Sequence, residues 1–310
     1  MNIMSRTRPV LSWFPVRLLG TLARDDDALR TWLRLSRELG FSHVEVHAGL
    51  VGSEKRLRAI ERGLEANGLQ VSMLTCGSDL VSPDKAVRQA EVSCLCEQID
   101  IAARLRTPSM RVTAGKRRSG MPLAEILDLA CESLAIAMAR ATEVGIRLCL
   151  ENHVRDRLWE EDAIDVTADP ECCVALFERT RPLGVAINFD TSQPMVTGLD
   201  TFTVLDREID RVGNVHAGDR RRGERTHVVI GTGDVDFPRI FERLRLARYT
   251  GFISVEDGSP EGEAGTRQGT AYLSAVLEHC WGSAPAGEPA EDDVPTLRSG
   301  SQIIEGRTPS

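Results

Sequence analysis

The sequence predicts one α/β domain, a closed (β/α)8 barrel of parallel strands and surrounding helices. The main observation is alternation: short apolar runs are followed by longer amphipathic stretches, eight times along the chain. Helical crossovers make consecutive strands parallel, and about 270 residues in eight such units fit a closed barrel. An open doubly wound sheet is the alternative. Its dinucleotide-binding form is not favoured, because no Gly-x-Gly-x-x-Gly follows the first strand.

The eight apolar runs are predicted as the strands of this barrel. Each has six or seven residues and is bounded by polar residues, glycine or proline. They lie at residues 9–14, 43–48, 70–76, 109–114, 146–151, 184–190, 212–217 and 251–256.

The stretches between the strands are predicted as helices, two of them with specific start signals. Ser82-Pro83-Asp84 and Asp169-Pro170-Glu171 each place a capping side chain before a proline at the first helical position. The first of these helices extends to about Leu105. The other predicted helices cover residues 26–39, 54–66, 122–144, 199–209, 236–248 and 266–280, and the pattern at 199–209 is the weakest.

Composition divides the chain into a barrel domain at residues 1–281 and a C-terminal tail at residues 282–310. The tail is rich in glycine, proline, serine and acidic residues and lacks aromatic side chains. A segment of this composition cannot bury enough apolar area to fold, so we predict that the tail is disordered.

A protein shortened to end at Gly282 should therefore keep its melting temperature and its activity, because the tail adds no buried apolar surface. Calorimetry and activity assays of both lengths check this expectation. A fall in melting temperature of more than a few degrees would show that the tail packs on the barrel.

Charge and hydropathy argue against several classes of protein. The formal net charge of −8 disfavours a nucleic-acid partner. The longest stretch without a charged residue, Ala66–Ser78, has 13 residues and is too short to span a bilayer. Pro15 and Arg17 interrupt the apolar N-terminal run, which disfavours a signal peptide. The eight cysteines include no Cys-x-x-Cys pair, so we expect reduced thiols in a cytoplasmic protein and leave a homo-oligomer open.

Polar side chains end the last four predicted strands. Glu151, Asp190, His216 and Glu256 each directly follow an apolar run, and active sites of such barrels form at the carboxyl ends of the strands. Isolated buried charges are costly unless they are paired or bind a metal. Three carboxylates and one imidazole favour one hard divalent cation, Mn²⁺ before Mg²⁺ or Co²⁺. The alternative is that the acidic residues only cap the following loops and helices.

Further candidates for substrate contact come from neighbouring segments. Glu45 and His47 share one face of the second strand. Asp219 and Arg220 follow His216 closely enough to orient it or to hold a substrate oxygen. Two basic runs on the same face would attract a phosphate or carboxylate group, unless they are only solvated surface. These runs are residues 116–118 and 220–222, and the candidate apolar walls are Trp13 and Trp159.

Five short motifs occur at these strand ends in a specific order. They are Leu150-Glu-Asn-His153, Phe189-Asp-Thr-Ser-Gln193, Val215-His-Ala-Gly-Asp219, Ile230-Gly-Thr-Gly-Asp-Val-Asp-Phe237 and Val255-Glu256. Over residues 10–280 the sequence resembles the xylose isomerase-like TIM barrels, the superfamily of sugar-phosphate isomerases and epimerases and of endonuclease IV. By this resemblance, the four strand-end residues would be the metal ligands. Glu151 and Glu256 would also be the acid–base pair.

Two positions depart from the family pattern. Gln193 stands where the family often has a histidine after strand six. Arg225-Thr-His227 stands where the endonuclease branch has Asp-x-His, which supplies further zinc ligands. The resemblance therefore implies a one-metal enzyme that acts on a small molecule, not a DNA-repair nuclease.

We expect a divalent-metal-dependent isomerase or epimerase of a small keto-sugar, polyol or related hydroxy-carbonyl compound. The cation would polarise a carbonyl and stabilise an enediolate while a glutamate moves the proton. The same first step serves a lyase acting on a cyclic keto-polyol, dehydroshikimate or a ketoglycoside, with His153 and His227 as additional acids. An AP-endonuclease-like phosphodiesterase and a metal-free binding protein are the remaining alternatives.

Overall fold

The computed structural model describes residues 7–154 and 164–282 and forms the predicted closed barrel. Its eight strands are parallel and pair in chain order, with the last strand closing onto the first. Every predicted strand is confirmed, with ends that differ by at most two residues. The strands are β1 (Val10–Trp13), β2 (His43–His47), β3 (Gln70–Thr75), β4 (Ser109–Val112), β5 (Arg147–Glu151), β6 (Ala186–Asp190), β7 (Val212–Ala217) and β8 (Phe252–Val255).

The helices of the described chain surround this barrel. The eight longer ones match the predicted helices, whereas α1 and α7 are too short to show a helical period in the sequence. The helices are α1 (Leu19–Leu22), α2 (Asp26–Glu38), α3 (Glu54–Ala66), α4 (Lys85–Arg104), α5 (Leu123–Val144), α6 (Pro170–Thr180), α7 (Gln193–Thr197), α8 (Thr201–Glu208), α9 (Phe237–Leu246) and α10 (Glu263–Trp281).

The helix starts confirm one of the two proline signals and correct the other. Asp169 caps α6 as predicted, because its Oδ1 accepts hydrogen bonds from two backbone N–H groups of the first turn, both at 3.0 Å. At the other start, Asp84 is the cap in place of Ser82. Its Oδ1 accepts two such bonds, at 2.8 and 3.2 Å, so α4 begins at Lys85, after the proline.

The main apolar core lies between the barrel and the helix layer. Helix α5 shows how the sequence builds it: Ile126, Ala130, Leu134, Ala137 and Ala141 recur at helical spacing and are all 0 % exposed. The three alanines let this helix pack closely on the strands. Inside the barrel, polar side chains occupy much of the space that apolar residues usually fill.

The thiols of this chain are packed and unpaired. All eight cysteines are free, and Cys76, Cys149, Cys172 and Cys173 are buried. Burial raises the pKa of the Cys149 thiol to about 12, which makes it a poor nucleophile. We assign these buried thiols to packing.

Two sequence predictions lie outside the described residues. The predicted tail falls there except for Gly282, and Trp159 lies in the gap between residues 154 and 164. Within the ranges that the structure describes, no helix is long and apolar enough to cross a membrane.

Candidate active site

The ends of β5, β7 and β8 bring three of the predicted ligands together. Glu151, His216 and Glu256 each place one ligand atom within 4.8 Å of the other two. Nδ1 of His216 lies 2.8 Å from Oε1 of Glu151 and 3.1 Å from Oε2 of Glu256. The side chains of Glu151 and His216 are enclosed, and that of Glu256 is 13 % exposed.

The donor atoms of this group fit a metal ion. Nδ1 of His216 and the Oε2 atoms of Glu151 and Glu256 are buried, and none has an aligned hydrogen-bond partner among the described residues. Such unsatisfied buried atoms are rare in native proteins and point to a further ligand. Two carboxylates and one imidazole are donors that Mn²⁺ and similar divalent cations accept. These three residues could therefore hold such a cation.

Asp190 ends β6 beside its register partner His216 but lies outside the group of three. Its Oδ1 accepts hydrogen bonds from the backbone N–H and the hydroxyl of Ser192, at 2.7 and 2.9 Å. Burial, reinforced by the charges on Glu256 and Glu151, raises the pKa of Asp190 to about 6. Asp190 therefore caps the following turn through one oxygen, and its other oxygen remains available for a ligand.

Glu45 fixes the second ring nitrogen of His216. Nε2 of His216 lies 2.9 Å from Oε2 of Glu45, whose side chain is fully buried. Burial opposes protonation, but the charges of Glu45, Glu256 and Glu151 outweigh it and hold the pKa of His216 well above its usual range. When Nδ1 serves as a ligand, Nε2–H donates to Glu45 and fixes the ring. The predicted substrate contact of Glu45 is thus replaced by a positioning contact.

A series of hydrogen-bonded polar side chains across the barrel interior supports Glu45 and Glu151. Nδ2 of Asn214 donates to Oε1 of Glu45 at 3.2 Å and to Oδ1 of Asn188 at 2.8 Å. Asn188 in turn donates to Oε1 of Glu151 at 2.7 Å, and Ser254 donates to Glu45. These three residues, Asn188, Asn214 and Ser254, are absent from the predicted site. Each stands two positions before a predicted ligand, so the alternation of strand side chains is the signal that would have found them.

A buried arginine on β4 is also absent from the predicted site. Nε of Arg111 lies 3.0 Å from Oε2 of Glu151, and Nη1 donates to the carbonyl oxygen of Cys76 at 2.8 Å. Burial works against ionisation of Glu151, but the charges of Arg111 and His216 outweigh it and lower the pKa of Glu151 to about 2. The signal in the sequence is a single basic residue within an otherwise uncharged strand, Ser109-Met-Arg-Val112.

One large cavity, of about 870 Å³, lies at the carboxyl ends of the strands and is bordered by Arg111, Asp190 and Glu256. Its volume is that of an ordinary small-molecule site. Gly77, Arg111 and Thr113 lie in the wall that β3 and β4 contribute. The predicted residues that line the cavity are His47, His153, Asp190, Arg220, His227 and Glu256.

Two histidines in the wall have fixed ring orientations. Nδ1 of His153 lies 2.8 Å from Oδ2 of Asp165, and although burial opposes protonation, this contact raises the pKa of His153. Nδ1 of His47 accepts a hydrogen bond from the N–H of Gly49 at 3.0 Å. Burial, followed by the charge of Arg111, lowers the pKa of His47 to about 4. His47 is therefore neutral at neutral pH, whereas the cationic form of His153 is favoured.

Arg220 and His227 form a buried pair elsewhere in the cavity wall. Nη2 of Arg220 lies 2.6 Å from Nε2 of His227, and its Nε donates to the hydroxyl of Ser192 at 3.2 Å. Nη1 donates to the carbonyl oxygen of Arg225 at 2.7 Å. These bonds join the loop after β7 to the turn after Asp190, so both predicted residues line the cavity in a fixed arrangement.

Asp219, predicted to contact substrate, instead organises the loop before α9. Its Oδ2 accepts hydrogen bonds from the N–H groups of Gly231 and Gly233, at 2.8 and 2.9 Å, and Oδ1 accepts one from Val235 at 3.3 Å. A Cβ at position 233 would collide with this carboxylate, and Gly231 has a φ of +92°. The Gly231-Thr-Gly233 motif is therefore required by a turn around Asp219.

Replacing Asp219 with alanine should lower the free energy of unfolding by about 3 kcal/mol, because three backbone N–H groups would lose a charged acceptor inside the protein. Denaturant unfolding measures the change. Asp234→Ala on the same loop is the control, because its exposed carboxylate accepts one such bond, from Arg222. Equal effects of the two substitutions would contradict the role given to Asp219.

Comparison with known proteins shows which family this sequence matches. The family model for xylose isomerase-like TIM barrels matches residues 33–276. An L-ribulose 3-epimerase of Mesorhizobium japonicum is 26 % identical over 242 residues, which are 75 % of this chain and 76 % of that protein. A ketose 3-epimerase of Arthrobacter globiformis is 27 % identical over 241 residues, 76 % of this chain and 79 % of that protein.

Other matches extend the range of activities among the relatives. An inosose dehydratase of Geobacillus thermodenitrificans is 28 % identical over 146 residues, 42 % of this chain and 46 % of that protein. Among solved structures, a D-tagatose 3-epimerase-like protein superposes with a TM-score of 0.71 at 19 % identity, over 87 % of this chain and 98 % of that chain. At that identity the structural match supports the fold alone.

Proposed function

Because the chain belongs to the family of xylose isomerase-like TIM barrels, we propose that it is a divalent-metal-dependent isomerase or epimerase of a small keto-sugar or related hydroxy-carbonyl compound. The observation that carries this proposal is the convergence of unsatisfied donor atoms from Glu151, His216 and Glu256 beside a cavity large enough for a small molecule. Epimerases are favoured within this class, because the L-ribulose 3-epimerase and the ketose 3-epimerase align over three quarters of the chain.

Glu151, His216 and Glu256 would hold the ion, with Asp190 as the fourth ligand. A bound divalent cation polarises a carbonyl group and acidifies the neighbouring C–H. Glu45 and the Asn188–Asn214 contacts hold the ligand side chains in place, which limits their reorganisation when a substrate enters.

The two glutamates are the proposed proton carriers. Burial would raise the pKa of Glu256, but the charge of His216 outweighs it and lowers that pKa, so the carboxylate is ionised at neutral pH and can accept a proton. Glu256 lines the cavity, whereas Glu151 is held by Asn188 and Arg111. We therefore assign proton removal on the cavity side to Glu256 and the partner role to Glu151.

A second candidate, a lyase that dehydrates a cyclic keto-polyol, is favoured by the His153–Asp165 pair. Loss of a β-hydroxyl group needs an acid near the leaving oxygen, and His153 lies in the cavity wall with its cationic form favoured by Asp165. An epimerase does not need that acid. The inosose dehydratases among the relatives align over less than half of the chain, which leaves this the second choice.

Product analysis separates these two candidates. The purified protein, loaded with Mn²⁺, is incubated with a panel of pentuloses, hexuloses and cyclic hydroxyketones, and the products are resolved by chromatography and mass spectrometry. Conversion to an isomer of unchanged mass supports the epimerase or isomerase, and loss of one water supports the lyase. A folded, metal-loaded protein that converts no member of the panel contradicts both.

Several finer assignments belong to the same proposal. Mn²⁺ is the preferred ion because the donor set combines two or three carboxylates with one imidazole. The substrate is a small molecule, and the arginines of the cavity favour an anionic one. A cytoplasmic location and the absence of a nucleic-acid partner complete it, in keeping with free thiols and a net charge of −8, and the proposal leaves a homo-oligomer open.

Metal affinity should fall as the pH is lowered. The pKa of His216 is held above its usual range, so an ion that binds Nδ1 must displace a proton at neutral pH. Below a pH of about 6, protonation of Asp190 adds a second competing proton. Calorimetric titration with Mn²⁺ in buffers of different ionisation enthalpy measures the release, which should be close to one proton per ion at pH 7. Affinity that stays constant from pH 8 to pH 5.5, without proton release, would contradict the ligand role of His216.

A further inference from the structure

One wall of the cavity presents a guanidinium edge that no group of the described residues uses. Arg111 is 6 % exposed, its Nη1 is bonded to Cys76, and its Nε faces Glu151. Among the residues that the structure describes, none accepts a hydrogen bond from Nη2 of Arg111. A buried cation with an unused donor edge in a cavity wall indicates a ligand that accepts a hydrogen bond and carries negative charge.

His47 adds a second donor to the same wall. Its Nδ1 accepts the N–H of Gly49, so the proton of the neutral ring is on Nε2. Within the described chain, Nε2 of His47 has no hydrogen-bond partner. His47 and Arg111 both line the cavity, and both have Thr75 of the intervening strand β3 as their register partner, so they lie at the same level of the barrel.

The charge balance of the cavity allows an anion to enter. Four carboxylates and two guanidinium groups lie at the site, and one divalent ion would balance their difference. The mouth of the cavity carries Arg17 and Arg24, with Asp25 as the acidic group among them. An anionic substrate would therefore meet little net repulsion at the metal side and attraction at the Arg111 side. The carboxylates are those of Glu45, Glu151 and Asp190, which are buried, and of Glu256, which is 13 % exposed; the guanidinium groups are those of Arg111 and Arg220.

Resting on the proposed function, we propose that the substrate is a keto-sugar or cyclic hydroxyketone that bears a carboxylate, which Nη2 of Arg111 and Nε2 of His47 bind. One guanidinium nitrogen and one neutral imidazole N–H match the two oxygens of a single carboxylate. A phosphate dianion, with three terminal oxygens, would leave acceptors and charge unmatched in this wall. Arg111 is thus a specificity-determining residue that separates acidic substrates from the neutral ketoses.

The test compares three probes that differ at one carbon: D-fructose, D-fructuronate and D-fructose 6-phosphate. Their binding to the full-length, Mn²⁺-loaded protein is measured by calorimetry, and proton exchange is measured separately in D₂O. We expect D-fructuronate to bind at least about tenfold more tightly than D-fructose, because a charge-assisted hydrogen bond to a buried guanidinium is among the stronger polar contacts. D-fructose 6-phosphate should bind less tightly than the carboxylate.

Arg111→Met, which keeps the length of the side chain without its donors, should abolish the preference. His47→Gln leaves the contact of Arg111 with Glu151 intact and should reduce the preference, so it remains informative where Arg111→Met does not fold. Arg62→Gln is the control for overall charge, because Arg62 is exposed on α3, outside the cavity lining; the preference should persist there. Melting temperature and metal content are recorded for each variant.

Equal binding of D-fructose and D-fructuronate, tighter binding of the phosphate, or no binding of any probe overturns the proposal. A preference that survives in a folded Arg111→Met protein, or in His47→Gln, also overturns it. A carboxylate preference that depends on Arg111, without proton exchange, would leave the anion site standing and contradict the proposed function instead. Proton exchange with neutral ketoses and no preference for the carboxylate would support the proposed function and overturn the anion site.

Discussion

Replacing Glu256 with glutamine is expected to lower turnover by about 100-fold or more while much of the metal stays bound. Glutamine can still offer an oxygen to a cation, but it cannot accept a proton. Glu256 is the member of the ligand group that lines the cavity, so its carboxylate can reach a bound substrate. Turnover and metal content of the same preparation give the result.

Glu151→Gln should lower turnover to a similar extent, but it should also disturb metal binding and stability. Asn188 donates to one oxygen of Glu151 and Nε of Arg111 lies 3.0 Å from the other, so the amide NH₂ of glutamine would face a donor. We therefore expect some loss of metal and stability in this variant. Glu261→Gln is the control, because Glu261 is exposed in the loop after β8. It should leave turnover, metal content and stability unchanged.

A carboxylate near a cation is a poor base, because positive charge lowers its pKa. That objection weakens when several carboxylates share one ion and the ion acidifies the substrate C–H. If either glutamine variant holds its metal and exchanges substrate protons at the wild-type rate, that glutamate is a ligand only. The base would then lie among His47, His153 and His227.

Replacing His216 with alanine should lower the affinity for Mn²⁺ by more than about 100-fold and abolish activity, since even outer contacts of a metal site are worth 10- to 100-fold. The variant leaves the carboxylates of Glu45, Glu151 and Glu256 close together without the imidazole that separates them. Elemental analysis after dialysis measures the loss. Chelation of the wild-type protein should likewise abolish activity, and Mn²⁺ should restore it.

Asp190→Ala tests the fourth ligand separately. Asp190 lies outside the group of three and caps a turn through Oδ1, so its ligand role depends on its other oxygen. We expect loss of most of the metal here as well. Asp128→Ala, which removes a carboxylate that is 61 % exposed on α5, is the control and should change nothing. Full metal occupancy in both His216→Ala and Asp190→Ala would contradict the ligand assignment.

The order of the strands and the residues at their ends could be predicted because both depend on local pattern. A short apolar strand that ends at a residue such as Glu151 or His216 indicates an active-site position in a closed barrel of this kind. The cap of α4 could not be placed as reliably, because Ser82 and Asp84 both flank the same proline and only hydrogen-bond geometry distinguishes them.

The interior of the barrel depends on contacts between distant strands. Glu45 and His47 lie on the same face of β2. Glu45 nevertheless contacts His216, which is far along the chain, and positions its ring. Arg111 has no motif at all, and its meaning comes from its approach to Glu151. Alternation places such side chains inside the barrel, but it does not show which partner each one meets.

Solvent exchange at carbon tests directly whether this site removes a proton from the substrate. Wild-type protein loaded with Mn²⁺ is incubated in D₂O with a ketose, or ketose acid, that it converts. Proton NMR and mass spectrometry should show one deuterium at the carbon next to the carbonyl group, and Glu256→Gln should incorporate it at least about 100-fold more slowly. Conversion of the substrate without deuterium at that carbon would contradict proton removal by this site.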